Sequence, residues 1–292
     1  MARLRTVTIG VVNIKIYPHT PELYVELFDD LFRIRNKVGF RGNNAAIPNH
    51  ISPLDPENSL SGIKGSIYKF TRINPNDPWI DTVKVEPLED KNGLPIFPIA
   101  QNLSPNLKTI QFVFYPEGHR LLFDTQYITP GSMQLLLNAL FSTEEIVQKY
   151  NDVEVIVEKA EDILQQILAI PIITKLTVSL TRPNAESFAE EEKKRVLDRM
   201  NQQNARIYDQ TFSANKYEGF TPDATTRAAM DLAQSNGEIF AEGYNSNDEK
   251  VVESTKPHPL IIKKKYDPDV DSFFSIVIGI SANLIDRLTS KG

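Results

Sequence analysis

Between Val7 and Tyr17 apolar residues occupy both faces of a period-two pattern, with Ile9 and Val11 on one side and Val12, Ile14 and Ile16 on the other. A strand that is apolar on both faces must be covered on both, so this run predicts a central strand. The period then changes. Thr20-Pro21-Glu22 reads as an N-cap, a first-turn proline and an acid suited to the helix dipole, and Leu23, Leu27, Phe28, Leu31 and Ile34 recur at helical spacing. This helix is expected to lie against the sheet.

Asn36 to Ser61 is polar, irregular and punctuated by Gly39, Gly42, Pro48, Pro53 and Pro56, which predicts a long loop and a place to look for a ligand contact. Gly62 to Ile73 predicts a strand. Pro75-Asn76-Asp77-Pro78 predicts a turn into a second strand carrying Trp79, Ile80, Val83 and Val85, and Asn92 to Asn106, with Pro95, Pro98 and Pro105, an extended connector. The strongest local signal follows. Two aromatic and aliphatic runs from Ile110 to Asp124 flank Pro116-Glu117-Gly118-His119, where proline presets a turn and Gly118 is expected to take the left-handed position of a β-hairpin.

Thr129-Pro130 repeats the cap-then-proline start ahead of the apolar stripe Met133, Leu136, Leu137, Leu140 and Phe141, and Ser142-Thr143-Glu144-Glu145 restarts the helix. Val153, Val155 and Val157, then Ile163, Leu164, Ile167 and Leu168, then Leu176, Val178 and Leu180 predict strand, crossover helix and strand, a parallel βαβ pairing. Beyond Arg182-Pro183-Asn184 a charged helix is expected, with Glu190 to Lys194 and Glu191 to Arg195 pairs. Next come a helix from Pro222 to Ser235 capped by Thr221, and strands Glu238 to Tyr244 and Pro259 to Tyr266 joined through Asn245-Ser246-Asn247-Asp248. A last helix begins near Asp269 or Asp271. The sum is an α+β fold: mixed, largely antiparallel sheets with flanking helices and one βαβ unit. It is expected to divide into an N-terminal α+β domain, residues 1–150, and a C-terminal α+β domain, 151–292, with a charged helical segment near 184–236.

Composition narrows the chemistry. At 292 residues and 41% hydrophobic content the chain can bury a substantial core. Lys+Arg 32 against Asp+Glu 38 gives a net charge of -6, so nucleic-acid binding would have to come from a local patch. The absence of cysteine removes disulfides, thiolate nucleophiles and Cys-based zinc sites. The start of the chain is too short and too alternating for a signal-peptide core, and no apolar run reaches the ~18 residues of a membrane span. A cytoplasmic protein without a membrane partner is expected.

Sequence signals for an active site are sparse. The four histidines, His19, His50, His119 and His258, sit in or beside proline turns, where solvated side chains are the default. Asp267, Asp269 and Asp271 start like a calcium loop, but Ser272 and Ile278 stand where the required glycine and glutamate belong. Asp81, Lys84 and Glu86 are the nearest approach to the carboxylates and lysine of a metal-dependent nuclease, a pattern equally common on solvated strand faces. Phosphate-loop, dinucleotide and serine-hydrolase motifs are missing, so no catalytic residue, metal or cofactor is assigned. Three basic clusters remain: Lys263-Lys264-Lys265 on a late strand, Lys193-Lys194-Arg195 with Arg199 on the charged helix, and Arg33, Arg35, Lys37 and Arg41 near the end of the first helix. The first two are the candidate contacts to a phosphate backbone, with Lys263 and Lys265 on one face of their strand and Lys264 on the other.

Gly62-Ile63-Lys64-Gly65-Ser66-Ile67-Tyr68-Lys69-Phe70, Asp77-Pro78-Trp79, Ile99 to Asn106, Gly237 to Tyr244 and Ser254 to Pro259, in this order, resemble a family of phage and bacterial proteins related to RexA, the abortive-infection protein of temperate phages. The resemblance implies a part in phage exclusion or defence, played by a homodimer that binds double-stranded DNA with little sequence preference. Two other readings remain open: a metal-dependent nuclease-type toxin, and an interaction subunit working with a partner encoded nearby.

Overall fold

The computed structural model describes residues 4–74, 77–90, 100, 102–183 and 190–289. Strand β1 (Arg5–Lys15) is central, as its two apolar faces require. It pairs antiparallel with β14 (Ile261–Tyr266) and β9 (Glu154–Val157) along one edge and with β8 (Arg120–Asp124) along the other. The sheet continues through β7 (Lys108–Tyr115), β4 (Asn58–Thr71), β3 (Asn44–Asp55) and β2 (Val38–Arg41), giving the order β14-β1-β8-β7-β4-β3-β2 with β9 also on β1.

On one face, Val12, Ile14 and Ile16 join a core with α1 (Pro21–Ile34), α2 (Pro130–Phe141) and α3 (Glu144–Tyr150). On the other, Val7, Ile9 and Val11 pack with Phe273, Ile276, Val277 and Leu284 of α7 (Phe273–Thr289). Thr20 and Thr129 cap α1 and α2 from their hydroxyls, with proline in the first turn of each, as the sequence predicts.

A second sheet, β11 (Ile207–Ser213), β10 (Ile172–Thr181), β12 (Gly237–Tyr244) and β13 (Lys250–Ser254), in that order, is covered on one face. The cover is α4 (Glu161–Leu168), α5 (Glu191–Gln202) and α6 (Ala224–Asn236). Two short strands, β5 (Ile80–Asp81) and β6 (Glu86–Pro87), form a separate exposed hairpin. The fold is α+β, and every strand pairing among the described residues is antiparallel.

Several expectations change. No parallel βαβ pairing forms: β9 joins the large sheet on β1, whereas β10 is hydrogen-bonded between β11 and β12 in the small one, so α4 connects two sheets. The division at residue 150 does not follow the architecture either, since β9, β14 and α7, from the second half, complete the sheet of the first. The expected loop from Asn36 to Ser61 is instead β2, β3 and the start of β4. Its prolines mislead because β2 covers β3 only as far as Ala46, leaving Pro48 and Pro53 on an edge, each beside a register shift, where a missing N–H costs no ladder bond. In the β7–β8 turn the left-handed residue is His119, with φ 41°, and not Gly118. Asp223, accepting from the Thr226 backbone at 2.7 Å, caps α6 in place of Thr221. The Asn245–Asp248 turn leads to β13, and the strand expected at Pro259 to Tyr266 crosses to β1 as β14. Part of the turn at Pro75-Asn76 and most of the connector from Asn92, including Pro95 and Pro98, lie outside the described residues.

Gly237 begins β12 where α6 ends, and its Cα lies so close to β10 that an added Cβ would stand 1.9 Å from the Ser179 carbonyl oxygen. Gly237→Ala is expected to destabilise the fold by about 1–3 kcal/mol through overpacking. A lower urea midpoint at constant m shows this; an unchanged midpoint means that the backbones separate freely.

Candidate functional site

The β1–β14 register opposes Lys265 to Thr6, Lys264 to Val7 and Lys263 to Thr8. All three lysines are exposed on an edge strand, and none has an ion pair or hydrogen bond among the described residues. Because Val12 and Ile14 share the parity of Thr6 and Thr8 on β1, Lys263 and Lys265 lie on the face that carries α1 and α2, and Lys264 on the face of α7.

The same register extends this basic edge inward. Beyond the end of β8, Thr125 stays beside β1, its backbone N–H donating to the Thr8 carbonyl at 2.9 Å. Tyr127 follows, with Lys108 Nζ 5.1 Å from its ring centroid and Lys69 Nζ donating to its carbonyl at 2.8 Å. Lys69 and Lys108 are direct partners across β4 and β7, and both share parity with residues of the α1–α2 core, Ile63 and Ile67 on β4 and Ile110 and Phe112 on β7.

Lys265, Lys108 and Lys69 therefore fall in one row across the sheet end, with Lys263 beside it. At about 4.8 Å per strand, the four steps from β14 to β4 span roughly 19 Å. A concavity of about 460 Å³ opens between Lys69, Lys108, Tyr127 and the start of α2, and no carboxylate lines it. Two lysines facing each other without an acid repel, which disfavours the free sheet and favours a bound anion. Arg41, from the third sequence cluster, reaches Ser132 in the first turn of α2 at 3.1 Å.

The other predicted cations are not comparably available. Lys193 is buried, with Nζ 3.5 Å from Glu190, and faces a hollow that Asp162 and Asp231 also line. Arg195 is held by Glu191 at 2.8 Å and Glu192 at 2.9 Å, and the Glu191 hydrogen bond pushes its pKa up. Lys194 alone of this trio is exposed with no side-chain partner among the described residues. The structure thus keeps the β14 lysines together as a free basic surface and does not bring the α5 trio into one; Arg33 is likewise tied to Asp30.

Asp81 Oδ1 accepts from the Val83 and Lys84 backbones, at 2.9 and 3.1 Å, closing its own turn. Asp267 and Asp271 do the same ahead of α7. Among the described residues no three metal-ligating side chains converge.

His258 is exposed just after a turn and His50 is exposed on strand β3, whereas His119 is 2% exposed and packs against His19, with ring centroids 4.9 Å apart. Beside it Arg120 is fully buried, its Nε 3.1 Å from Glu158 Oε2. Glu158 also accepts from the Ser235 hydroxyl. Asn13 receives His119 Nδ1 at 2.6 Å and donates to the Ser235 carbonyl at 3.1 Å. Lys15 Nζ donates to Thr181 Oγ1 and the Arg182 carbonyl, both at 3.1 Å. This closed cluster fastens β1 and the β7–β8 turn to α6 and β10, so it joins the two sheets. Its only sequence signal is the interruption of the apolar β1 run by Asn13 and Lys15.

No helix among the described residues is long and apolar enough to cross a membrane. A family model described as a domain of unknown function, DUF4747, matches residues 5–281. No curated protein matches the chain.

Proposed function

The chain belongs to the DUF4747 family, and for it we propose a function in binding: the sheet end bearing Lys265, Lys263, Lys108 and Lys69 takes the phosphate backbone of double-stranded DNA with little sequence preference. The carrying observation is the cross-strand lysine row beside a concavity without carboxylates. Its span of roughly 19 Å is about half a helical turn of duplex, enough for several phosphates. An acidic protein can bind a polyanion in this way because counterions are released locally, where lysines cluster. The likeness to RexA-like proteins supplies the setting: a homodimer in the cytoplasm, in phage exclusion or defence, alone or with a partner encoded nearby.

Fluorescence anisotropy with labelled duplexes of unrelated sequence tests the reading. Four phosphate contacts should cost on the order of a hundredfold in affinity between 50 and 200 mM salt. The double variant Lys108→Glu/Lys265→Glu is expected to bind weakly and to flatten the salt slope by about 0.9 per contact removed. Absence of binding at low salt, or binding with the same slope in the variant, rejects this surface.

A further inference from the structure

A second hollow, distinct from the lysine row, opens between the two sheets and has a volume of about 710 Å³. That lies in the range of small-molecule sites, about 300–1,000 Å³. Its walls are α2, β9, the facing ends of β10 and β12, and the segment from Lys256 to Pro259.

Most of the charge on these walls is already neutralised. Arg206 pairs with Asp152 and, at 3.3 Å, with Glu154; Lys256 pairs with Glu238 at 3.5 Å. Lys159 is the exception. Its side chain lines the hollow and is 6% exposed, yet Nζ has no hydrogen bond or ion pair among the described residues. The backbone at Lys159 is fixed on both sides. Ala160 N–H donates to the His258 carbonyl at 2.9 Å, and Leu260 N–H to the Glu158 carbonyl at 2.7 Å. Burial, the largest influence, pushes the Lys159 pKa down even though the charges of Glu238 and Glu158 act the other way, so the lost water outweighs the nearby acids. On the same walls, the half-buried side chains of Asn138 and Ser179 also make no hydrogen bond among the described residues.

We propose that this cleft binds a small hydroxylated organic anion, its carboxylate or phosphate seated on Lys159 Nζ and its hydroxyl groups on Asn138 and Ser179. One cation without a hydrogen-bonded partner suits one anionic group, and because Asp152 and Glu154 share the single Arg206 the walls keep an excess acid that disfavours a polyanion such as a nucleic acid. The site therefore stands whether or not the lysine row binds DNA.

Thermal unfolding at constant ionic strength, with chloride as reference, provides the test, using inorganic phosphate, glycerol 3-phosphate and glycerate as probes. A higher Tm with the phosphate probes alone identifies a phosphate ligand, with glycerate alone a carboxylate, and with both an anion site of either kind; each supports the site. Lys159→Met, which keeps the apolar stem, is expected to weaken probe binding about tenfold or more by calorimetry, the loss of one charged hydrogen bond. Lys108→Glu/Lys265→Glu should bind the probes as wild type does. In the wild-type chain the probes should also protect Lys159 from reductive methylation, read by peptide mass spectrometry, a measurement that does not depend on how the methionine variant folds. No Tm change with any probe, a wild-type response in Lys159→Met, or equal methylation with and without probes overturns the proposal.

Discussion

Replacing Arg120 with alanine is expected to lower the unfolding free energy by about 3–5 kcal/mol, the usual cost of leaving one member of a buried ion pair without the other. Arg120 is 0% and Glu158 2% exposed, so water cannot take the place of the lost partner. Among the described residues Glu158 would keep the Ser235 hydroxyl as its side-chain hydrogen bond, and His119 would lose the Arg120 Nη1 that stands 2.6 Å from its Nδ1. The pair itself need not be favourable. Desolvating both charges offsets much of their attraction, and Arg120 Nη2 has no acceptor among the described residues. Arg120→Met/Glu158→Met is therefore expected to cost less than the sum of the single changes, and less than Arg120→Ala alone. Urea unfolding of the two single variants and the double variant measures the coupling. Additive single effects would mean that the two groups do not sense each other as buried charges.

Acid should weaken the fold through His119. Burial first, and then the charges of Arg120, His19 and Lys15, hold its folded-state pKa well below 6.5. The group is a base with a depressed pKa, so below pH 6.5 the unfolded chain takes up a proton that the folded chain refuses. Stability is then fully present above pH 6.5 and falls by about 1.4 kcal/mol per pH unit below it, until the folded-state pKa is reached. His19, also shifted down by burial and by Arg120, acts in the same direction. The shift on His119 also follows from its contacts. Nδ1 lies 2.6 Å from both Asn13 Oδ1 and Arg120 Nη1, and whichever it serves, a second positive charge on the ring would face the guanidinium. Urea midpoints of wild type and His119→Gln between pH 7.5 and 5 isolate this contribution from that of the carboxylates. The wild-type curve should fall more steeply below pH 6.5, and parallel curves would show that His119 takes up its proton in the folded state.

Local rules carried the sequence reading wherever one residue and its near neighbours decide the outcome. The two-faced apolar run of β1 made it central, because a strand that is apolar on both sides has to be covered on both. Thr20-Pro21 and Thr129-Pro130 started helices because a cap and a preset φ act within one turn. The hairpin at Ile110 to Asp124 formed for the same reason, although its left-handed residue is His119.

What failed was whatever depended on a distant partner. Pro48 and Pro53 read as loop until β3 is seen to have a free edge beyond Ala46, and β9 and β10 read as one parallel unit until each is seen in its own sheet. The sites divide in the same way. Three consecutive residues are enough to make Lys263, Lys264 and Lys265 a basic strand with alternating faces. That Lys265 shares a row with Lys108 and Lys69, and that Lys159, Lys193 and Arg120 are buried, depends on the folded sheets and helices. A lysine's charge is legible in the chain, but its neighbours, and hence its solvation, are set by sheet register and by packing between residues from about forty to more than two hundred positions apart.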